Sequence, residues 1–497
     1  MNTRRQFLIT ASLGVVASGA ACRDEQSAPG AAPPSTPGAP PTFGTGPISG
    51  PPVSAGTFAE AEKLAQVTMT GAERDMAAAS WPRSMAPLLE RRVGPRKVAI
   101  PANVAPGAQW NPIIAGVSGG PTRDSFVRSS NTPPPLPADD ADIAFAPVTQ
   151  LSRWIEHKAI TSARLTAIYL SRIDRYDGKL RSIITLTKDA ALAQAKQADA
   201  EIAAGRYRGP LHGIPFGVKD LLDTGGIPTT YGAEPFRNRV PEADAVVVQR
   251  LRAAGAVLIA KLSLGALALN DIWFGGQTMN PWLLEEGASG SSAGPGAATA
   301  AALVAFSIGS ETGGSIVAPS MRCGVTGLRP TFGRVPRTGA MTLCWSLDKL
   351  GPMTRSVEDA MLVLRVITGP DAGDVSSLPS HLDFDGNASP NGLRVGYFPK
   401  WMNESPATGV DRAALDAVKN AGMVPVEVSL PDWPYTSLQH ILFAEAAAAF
   451  EELTLGGGLT TLKVQVPDAW PNLFRQARFL SAVDFVQADR LRRRVAQ

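Results

Sequence analysis

The sequence predicts an α/β protein in which helices cover both faces of a β-sheet. After residue 140, amphipathic helical segments alternate with short runs of β-branched and apolar residues. Glycine follows several of the helical segments, as Gly205 does after residues 192–204. At 497 residues the chain is long enough for one large domain with extensions. Such alternation is typical of an α/β sheet covered by helices.

The predicted elements follow one another along the chain without an internal repeat. Residues 57–92 have helical spacing, and Pro- and Gly-rich stretches follow up to about residue 139. After the helix at 192–204, the pattern predicts a helix over 243–254, a buried strand over 256–260, a strand over 393–397, a helix near 411–419 and a strand over 424–428.

Four segments are predicted from these changes in composition. They are an export signal at 1–22, a disordered tether rich in Pro, Gly, Ala and Ser at 23–55, a helical extension with a wrapping loop at 56–139, and the main domain at 140–497. The apolar run at 9–21 is shorter than the roughly 20 residues that a membrane span needs. It therefore resembles the core of a signal peptide.

The start of the chain predicts export. Arg4 and Arg5, followed by Phe7 and Leu8, are similar to a twin-arginine signal. Cys22 stands where a bacterial lipoprotein is acylated, which makes it a candidate membrane tether. We therefore expect a protein that is exported, and either periplasmic or anchored on the outer side of the cytoplasmic membrane.

Composition excludes several classes of partner. The 47 Lys and Arg residues nearly balance the 44 Asp and Glu residues, giving a net charge of +3 with no basic run typical of nucleic-acid binding. Three cysteines and four histidines form neither a disulfide framework nor a metal-ligand pattern. We expect a small-molecule ligand, no nucleic acid, no metal and no cofactor, and the sequence does not define the oligomeric state.

Two segments rich in glycine and serine, at 287–296 and 309–316, are the candidates for chemistry. The small apolar residues at 297–306 between them predict a helix, with Pro295 near its start. Flexible linkers are the alternative interpretation of such segments. Gly313 and Gly314 precede Ser315, and a glycine pair lets successive backbone N–H groups converge on one point, as an oxyanion hole requires.

A serine nucleophile needs a base, and no histidine lies near either segment. Lys219, at the end of the apolar run 211–220, is a candidate, because burial can lower the pKa of a lysine enough to make it neutral. The spacing of residues along the sequence does not show that Lys219 lies near the serines. The alternative interpretation is that its side chain faces solvent, as is usual for a lysine at the end of a strand.

The connection comes from a resemblance to the amidase signature family of serine amidohydrolases. Four blocks resemble those of the family in order and spacing: 213–220, the Ser291-Ser292 pair, 312–315 and 323–333. The similarity covers roughly residues 146–368 and is weaker beyond. It implies the amidase signature fold, a large mixed β-sheet sandwiched between layers of α-helices.

The resemblance also implies roles for individual residues. Ser315 matches the acyl-accepting serine, Ser291 matches the serine that follows a cis peptide bond, and Lys219 matches the base. Ser292 matches a supporting serine. The oxyanion hole matches the backbone N–H groups of Thr312, Gly313, Gly314 and Ser315. The implied activity is hydrolysis of a linear carboxylic acid amide through an acyl-enzyme, without metal or cofactor.

Related enzymes act on fatty acid amides, aryl amides, peptide C-terminal amides and glutamine linked to transfer RNA biosynthesis. Export would argue against the last substrate, and the sequence does not rank the others.

The chain departs from the family pattern at several positions. Glu311 replaces a common Asp, and Val317 replaces a common Arg, so Glu311 needs another partner, for which Arg322 and Arg329 are candidates. Ser289, Ala293 and Pro295 replace a commoner Gly, Gly and Ser. Family members usually continue past a helix like that at 481–496, which predicts a chain truncated at its C-terminus.

Three rival interpretations remain. Residues 290–294 match the Gly-x-Ser-x-Gly elbow of α/β-hydrolases, with Ser292 as nucleophile, although 280–287 does not have the pattern of a strand. Ser346 and Lys349 match the Ser-x-x-Lys motif of penicillin-recognising enzymes. The third is an exported binding protein that keeps the amidase fold without turnover.

Overall fold

The computed structural model describes residues 50–85, 87–109, 120–129, 132, 134–403 and 408–497. The predicted export signal at 1–22 lies outside the described residues, as does the predicted tether up to residue 49. Arg4, Arg5 and Cys22 are therefore among the residues without a structural description.

Helices account for much of the described chain. In chain order they are α1 (Ala55–Ala65), α2 (Gly71–Ser84), α3 (Pro87–Val93), α4 (Asp140–Phe145), α5 (Val148–Glu156), α6 (Ser162–Leu180), α7 (Lys188–Ala203), α8 (Val246–Ala253), α9 (Ala293–Ala300), α10 (Val317–Cys323), α11 (Val357–Ile367), α12 (Pro399–Asn403), α13 (Gly409–Asn420), α14 (Gln439–Ala449), α15 (Glu451–Leu455), α16 (Trp470–Ala477) and α17 (Ala482–Ala496). Short 3-10 turns lie at Gly107–Gln109, Glu234–Phe236, Ala266–Ala268, Tyr435–Leu438 and Gly458–Thr461.

The strands are short. In chain order they are β1 (Ser125–Val127), β2 (Ile183–Leu186), β3 (Pro215–Lys219), β4 (Val257–Leu262), β5 (Ile272–Trp273), β6 (Gly276–Gln277), β7 (Met279–Asn280), β8 (Leu283–Gly287), β9 (Phe306–Glu311), β10 (Thr326–Gly327), β11 (Lys349–Thr354), β12 (Asp383–Asp385), β13 (Arg394–Tyr397) and β14 (Val424–Glu427).

The chain divides into two compact units. The first comprises the described residues of Met1–Asn111, Ala388–Ala444 and Arg475–Gln497, and the second those of Pro112–Asn387 and Glu445–Phe474. The boundaries predicted from sequence, at 22, 55 and 139, stay a prediction.

The second unit contains a six-stranded mixed sheet. Its strand order is β10-β11-β9-β3-β4-β2, with β9, β3 and β4 parallel to one another and the outer pairings antiparallel. Helices α6, α7, α9 and α11 pack against it. Every residue of β3 and β4 is buried, as expected for parallel strands covered on both faces. The predicted α/β class, with a mixed sheet between helices, is confirmed.

In the first unit, helices α1 and α2 pack around a small aromatic cluster. The ring of Phe58 lies edge-on to those of Trp81 and Phe479, at centroid distances of 5.5 and 5.1 Å. Strands β13 and β14 pair in parallel as a separate two-stranded sheet, with α13 between them in the chain. The strand, helix and strand predicted over 393–428 are confirmed.

Two predictions around the serine segments are wrong. The helix between them is α9, which begins at Ala293 and ends at Ala300, and Phe306 already belongs to strand β9. Small apolar residues occur both in helices and in buried strands, so composition alone predicted the wrong bounds for this helix. Residues 280–287 do contain a strand, β8, which forms a hairpin with β7 instead of joining the central sheet.

Candidate active site

The candidate active site lies where two neighbouring parallel strands end. Val218 of β3 pairs with Ile308 of β9, so the carboxyl ends of both strands meet at one edge of the sheet. Lys219 is the last residue of β3, and β9 ends at Glu311 just before the glycine pair. Crevices at the carboxyl ends of parallel strands are common ligand sites in α/β proteins. The fold therefore brings the predicted lysine and the second glycine-rich segment to the same edge.

The Lys219 amine is fully buried and surrounded by hydroxyl groups. Its Nζ atom lies 2.7 Å from Ser291 Oγ, 3.1 Å from Ser292 Oγ and 2.9 Å from Ser310 Oγ. No carboxylate lies within ion-pair distance of this amine in the part of the chain that the structure describes. The predicted contact between Lys219 and Ser291 is thus present in the geometry.

Burial lowers the pKa of Lys219 well below its ordinary value of 10.5, because the charged form loses its hydration. The carboxylates of Asp348 and Glu311 act in the opposite direction from a greater distance. A lysine in this environment can be neutral when its exposed counterparts are charged, as a general base requires.

Close packing shapes the loop that carries Ser291 and Ser292. The Gly290–Ser291 peptide bond is cis. A Cβ atom at Gly290 would lie 1.8 Å from the backbone oxygen of Asn270, so no larger residue fits there. Asp271 holds the loop from the same side by accepting a hydrogen bond from the N–H of Ser289 at 3.1 Å.

Ser292 connects this loop to the segment around Ser315. Its hydroxyl donates to the carbonyl of Ser310 at 3.0 Å, and its backbone N–H donates to the carbonyl of Ser315 at 3.1 Å. The hydroxyl of Ser292 is therefore occupied as a donor, so Lys219 can use it only as an acceptor. This arrangement agrees with a supporting role for Ser292.

Ser315 lies in the turn between β9 and α10 and is partly buried. Its backbone is hydrogen-bonded to Ser292, whereas its hydroxyl has no hydrogen-bond partner among the described residues. The predicted contact between the Ser291 and Ser315 hydroxyls is therefore absent among the described residues. Catalytic hydrogen bonds are often long before substrate binds.

The backbone N–H groups of Gly313, Gly314 and Ser315 have no acceptor within the described residues. Gly314 has a φ of +108°, a conformation that other residues rarely adopt. A Cβ atom at Gly313 or Gly314 would meet no atom within 4 Å, so open space lies beside this turn. Free N–H groups next to open space are the arrangement that an oxyanion hole needs.

Glu311 binds the two N–H groups that come next. Its buried carboxylate accepts hydrogen bonds from Ile316 at 2.8 Å and Val317 at 3.0 Å, at the start of α10. Of the two arginines considered as its partner, Arg329 lies 3.5 Å away, whereas Arg322 pairs with Glu286 at 2.6 Å.

Sequence reasoning missed two residues of this site, Ser310 and Asp348. Ser310 contacts the lysine amine directly, and Asp348 accepts a hydrogen bond from the Thr312 hydroxyl at 2.5 Å. The strand register could have revealed Ser310, because it lies two residues after the partner of Val218. Asp348 stands inside the Ser-x-x-Lys motif, which was interpreted only as a rival site.

The rival motifs have other contacts. The Ser346 hydroxyl donates to Glu445, with Oγ and Oε1 2.5 Å apart, and the Lys349 amine donates to the carbonyls of Leu347 and Thr312. Lys349 makes no hydrogen bond to Ser346 in the described part of the chain. The Ser292 hydroxyl contacts Lys219 and Ser310, and neither supplies the histidine of an α/β-hydrolase.

The Amidase family profile matches residues 164–487. A glutamyl-tRNA(Gln) amidotransferase subunit from Anaeromyxobacter dehalogenans is 42% identical over 301 residues, which are 59% of this chain and 61% of that protein. The chain belongs to the amidase family. Its alignment thus spans less than two thirds of the length of this curated relative.

Solved structures are similar as well. A native peptide amidase from Stenotrophomonas maltophilia superposes with a TM-score of 0.62 at 30% identity, over 69% of this chain and 78% of that one. An amidase family protein from Bacillus anthracis gives a TM-score of 0.61 at 25% identity, over 70% of this chain and 76% of that one. The amidase signature fold is therefore confirmed, and the family supports an enzyme acting on carbon–nitrogen bonds.

The predicted localisation is wrong. The relatives that are glutamyl-tRNA(Gln) amidotransferase subunits are cytoplasmic, which contradicts export to the periplasm or the outer side of the cytoplasmic membrane. The twin-arginine signal and the acylation of Cys22 have no support in these relatives. Among the described residues, none of the helices has both the length and the apolar composition of a bilayer crossing. Without export, a glutamine substrate is no longer disfavoured.

Proposed function

We propose that this family member hydrolyses a small carboxylic acid amide through an acyl-enzyme on Ser315, with Lys219 as base and Ser291 as proton relay. The observation that carries the proposal is the 2.7 Å contact between a fully buried lysine amine and the Ser291 hydroxyl. Lowering of the lysine pKa by burial supports it, because the neutral amine can then accept a proton.

The hydrogen bonds around Lys219 support one direction of proton transfer. A neutral amine has two N–H donors and one lone pair. Ser292 must accept one N–H, because its own proton is used on the Ser310 carbonyl. If Ser310 accepts the second N–H at 2.9 Å, the lone pair is left for the Ser291 proton. Ser310 is thus proposed as a positioning residue that orients the base.

The proposed reaction proceeds by acylation of Ser315 followed by hydrolysis of the acyl-enzyme. Ser291 gives its proton to Lys219 and takes the proton of Ser315, whose oxygen bonds to the amide carbonyl carbon. The free N–H groups of Gly313, Gly314 and Ser315 stabilise the resulting oxyanion. The carbon–nitrogen bond breaks as the proton returns through Ser291 to the leaving amine. Water then hydrolyses the ester by the same relay, which releases the acid and restores Ser315.

Labelling and turnover test the proposal together. A fluorophosphonate probe is expected to label Ser315, and peptide mapping identifies the modified residue. Ser315→Ala is expected to lower amide hydrolysis by roughly 10⁴–10⁶-fold. Labelling at Ser346, or activity that survives this replacement, would count against the assignment. A correctly folded protein with neither labelling nor turnover would favour a binding protein.

A second candidate function is that of one component of an amidotransferase, in which ammonia from an amide donor passes to another acceptor. The observation that favours it is the 42% identity to the glutamyl-tRNA(Gln) amidotransferase subunit from Anaeromyxobacter dehalogenans. Glutamine hydrolysis by the chain alone, compared with hydrolysis in the presence of partner subunits, separates the two candidates. Efficient hydrolysis of simple amides without a partner supports the amidase.

A further inference from the structure

A cavity of about 330 Å³ adjoins the candidate active site. Its walls include Ser310, which contacts the base, and Thr312, which begins the glycine turn. The volume is at the small end of the roughly 300–1,000 Å³ that is usual for ligand sites. Any amide that fills this cavity next to the reactive groups is therefore small.

One arginine in the cavity wall is already neutralised. Arg337 donates to both carboxylate oxygens of Asp374, at 2.9 and 3.0 Å, and its remaining terminal nitrogen donates to the carbonyl of Trp345 at 2.6 Å. Both Arg337 and Asp374 line the cavity, so their opposite charges cancel there. This arginine is consequently a poor partner for a substrate carboxylate.

Asp348 adds a carboxylate to the cavity wall; burial raises the pKa of this group, while its hydrogen bonds and the charge of Arg337 act in the opposite direction. One carboxylate oxygen accepts from the Thr312 hydroxyl at 2.5 Å, and the other accepts from the N–H groups of Leu343 and Cys344 at 2.8 and 2.9 Å. No Lys or Arg lies within ion-pair distance of Asp348 in the described chain. The neighbouring Lys349 does not line the cavity, and its amine donates to two main-chain carbonyls.

An aromatic ring lies in the same wall. Trp345 lines the cavity, yet the residue is 50% exposed, so its indole ring can still contact a ligand. The face of an indole attracts cations, and the attraction adds to that of a nearby carboxylate. An aromatic ring and a carboxylate that has no direct ion pair among the described residues lie in the wall of one small cavity, which makes it a suitable site for an ammonium group.

We infer that this cavity binds the ammonium end of the substrate, between Asp348 and Trp345, and that the preferred substrates are small amides whose acyl chain carries a primary amine. The inference rests on the proposed amidase function, and it makes Asp348 and Trp345 specificity-determining residues. Amides that carry a carboxylate at the same position are disfavoured, because that group would face the carboxylate of Asp348 and Arg337 is already paired with Asp374.

Three primary amides with the same three-methylene chain test the charge preference. They are 4-aminobutanamide, which is cationic, pentanamide, which is neutral, and glutaramate, which is anionic. We expect kcat/KM to fall in that order, by about tenfold at each step. Equal values, or a preference for glutaramate, would overturn the inference.

Two variants locate the preference. Trp345→Leu should reduce the preference for 4-aminobutanamide over pentanamide about threefold, measured as the ratio of the two kcat/KM values. Asp348→Asn should remove most of the remaining preference. Since Asp348 also holds the main chain of Leu343 and Cys344, its variant is first checked for native circular dichroism. If Asp348→Asn does not fold, the Trp345→Leu variant alone tests the inference. An unchanged preference for 4-aminobutanamide in that variant contradicts the inference.

A binding measurement separates this inference from the proposed reaction. Calorimetric titration of the wild-type chain with n-butylammonium and with butyrate needs no turnover. Tighter binding of n-butylammonium, weakened in Trp345→Leu, supports the cation site even if none of the amides is hydrolysed. Equal binding of the two ions, or no binding of either, overturns the site. Hydrolysis of pentanamide that depends on Ser315 would then still support the amidase.

Discussion

Lys219 and Lys261 lie on neighbouring parallel strands, and both are fully buried, yet their surroundings differ. The Lys219 amine contacts three hydroxyl groups. The Lys261 amine lies 2.9 Å from the carboxylate of Asp220, which is also fully buried, and 2.6 Å from the hydroxyl of Thr229.

The two buried lysines differ in what opposes the loss of a proton. Burial lowers the pKa of both amines, but at Lys261 the adjacent Asp220 carboxylate acts against the loss of the proton. Deprotonation of Lys261 would leave a buried carboxylate without its cation, which is costly. Among the described residues Lys219 has only neutral hydrogen-bond partners, so loss of its proton would leave no such charge. We therefore interpret Lys219 as the candidate base and Lys261 as a residue that stabilises the fold by pairing with Asp220.

Of the variants that test this comparison, Lys219→Met should have the largest effect on activity. Removing the base should lower kcat/KM for a neutral amide by about 10²–10⁴-fold, which steady-state kinetics measures. The free energy of unfolding should change little, because the variant removes a desolvated amine and leaves no carboxylate unpaired. A large loss of stability with activity per folded molecule preserved would reverse the roles assigned to the two lysines.

Lys261→Met is expected to have its main effect on folding. It leaves Asp220 buried without a cation, and we expect the free energy of unfolding to fall by about 3–5 kcal/mol in denaturant titrations. The matched control is the double variant Lys261→Met/Asp220→Asn, which also removes the unpaired charge and should recover part of the loss. If the single variant is as stable as the wild type, the ion pair has no structural role.

The pH dependence of activity distinguishes the two amines further. Only neutral Lys219 accepts a proton, so kcat/KM should rise about tenfold per pH unit below its pKa and level off above it. Because burial lowers that pKa from 10.5, the plateau should begin below pH 10.5. The measurement is a kcat/KM profile for pentanamide across the pH range in which the protein stays folded. A midpoint at or above 10.5 would show that the amine is not the base.

Ser310→Ala should have the smallest of these effects. It removes one acceptor of the Lys219 amine, so the lone pair no longer points only at Ser291, and kcat should fall about tenfold. Ser310→Thr restores the hydroxyl and is expected to recover most of the rate with an unchanged KM. An equal loss in both variants would mean that Ser310 acts only through packing.

One central strand of the main sheet could be predicted because the local pattern specifies it. Strand β4 begins with four consecutive apolar residues before Lys261, and the turn glycines mark the ends of α7 and α8. The helix at 297–306 was misplaced because alanine-rich residues before Phe306 do not distinguish a helix from a buried connection. The hairpin containing β8 was missed because Glu285 and Glu286 interrupt the apolar pattern.

For the site, the sequence identified Lys219 and the serines through the family resemblance, not through spacing. Neighbouring strands bring Lys219 and Ser310 together although 91 residues separate them in the chain, and local pattern carries no such information. The role of Asp348 depends on a cavity, which is a property of packing. Glu311 was expected to need an arginine, whereas most of its hydrogen bonds are to main-chain N–H groups.

The carboxylate of Glu311 also limits where a substrate can dock. Five consecutive amide groups, from Gly313 to Val317, run from the glycine turn into α10, and Glu311 already occupies the last two. A carbonyl oxygen that approaches this run finds donors only on the strand side of Ile316. In the proposed reaction, Glu311 would therefore prevent the substrate carbonyl from binding nearer the helix, and this one internal side chain would define where along the backbone the scissile bond lies.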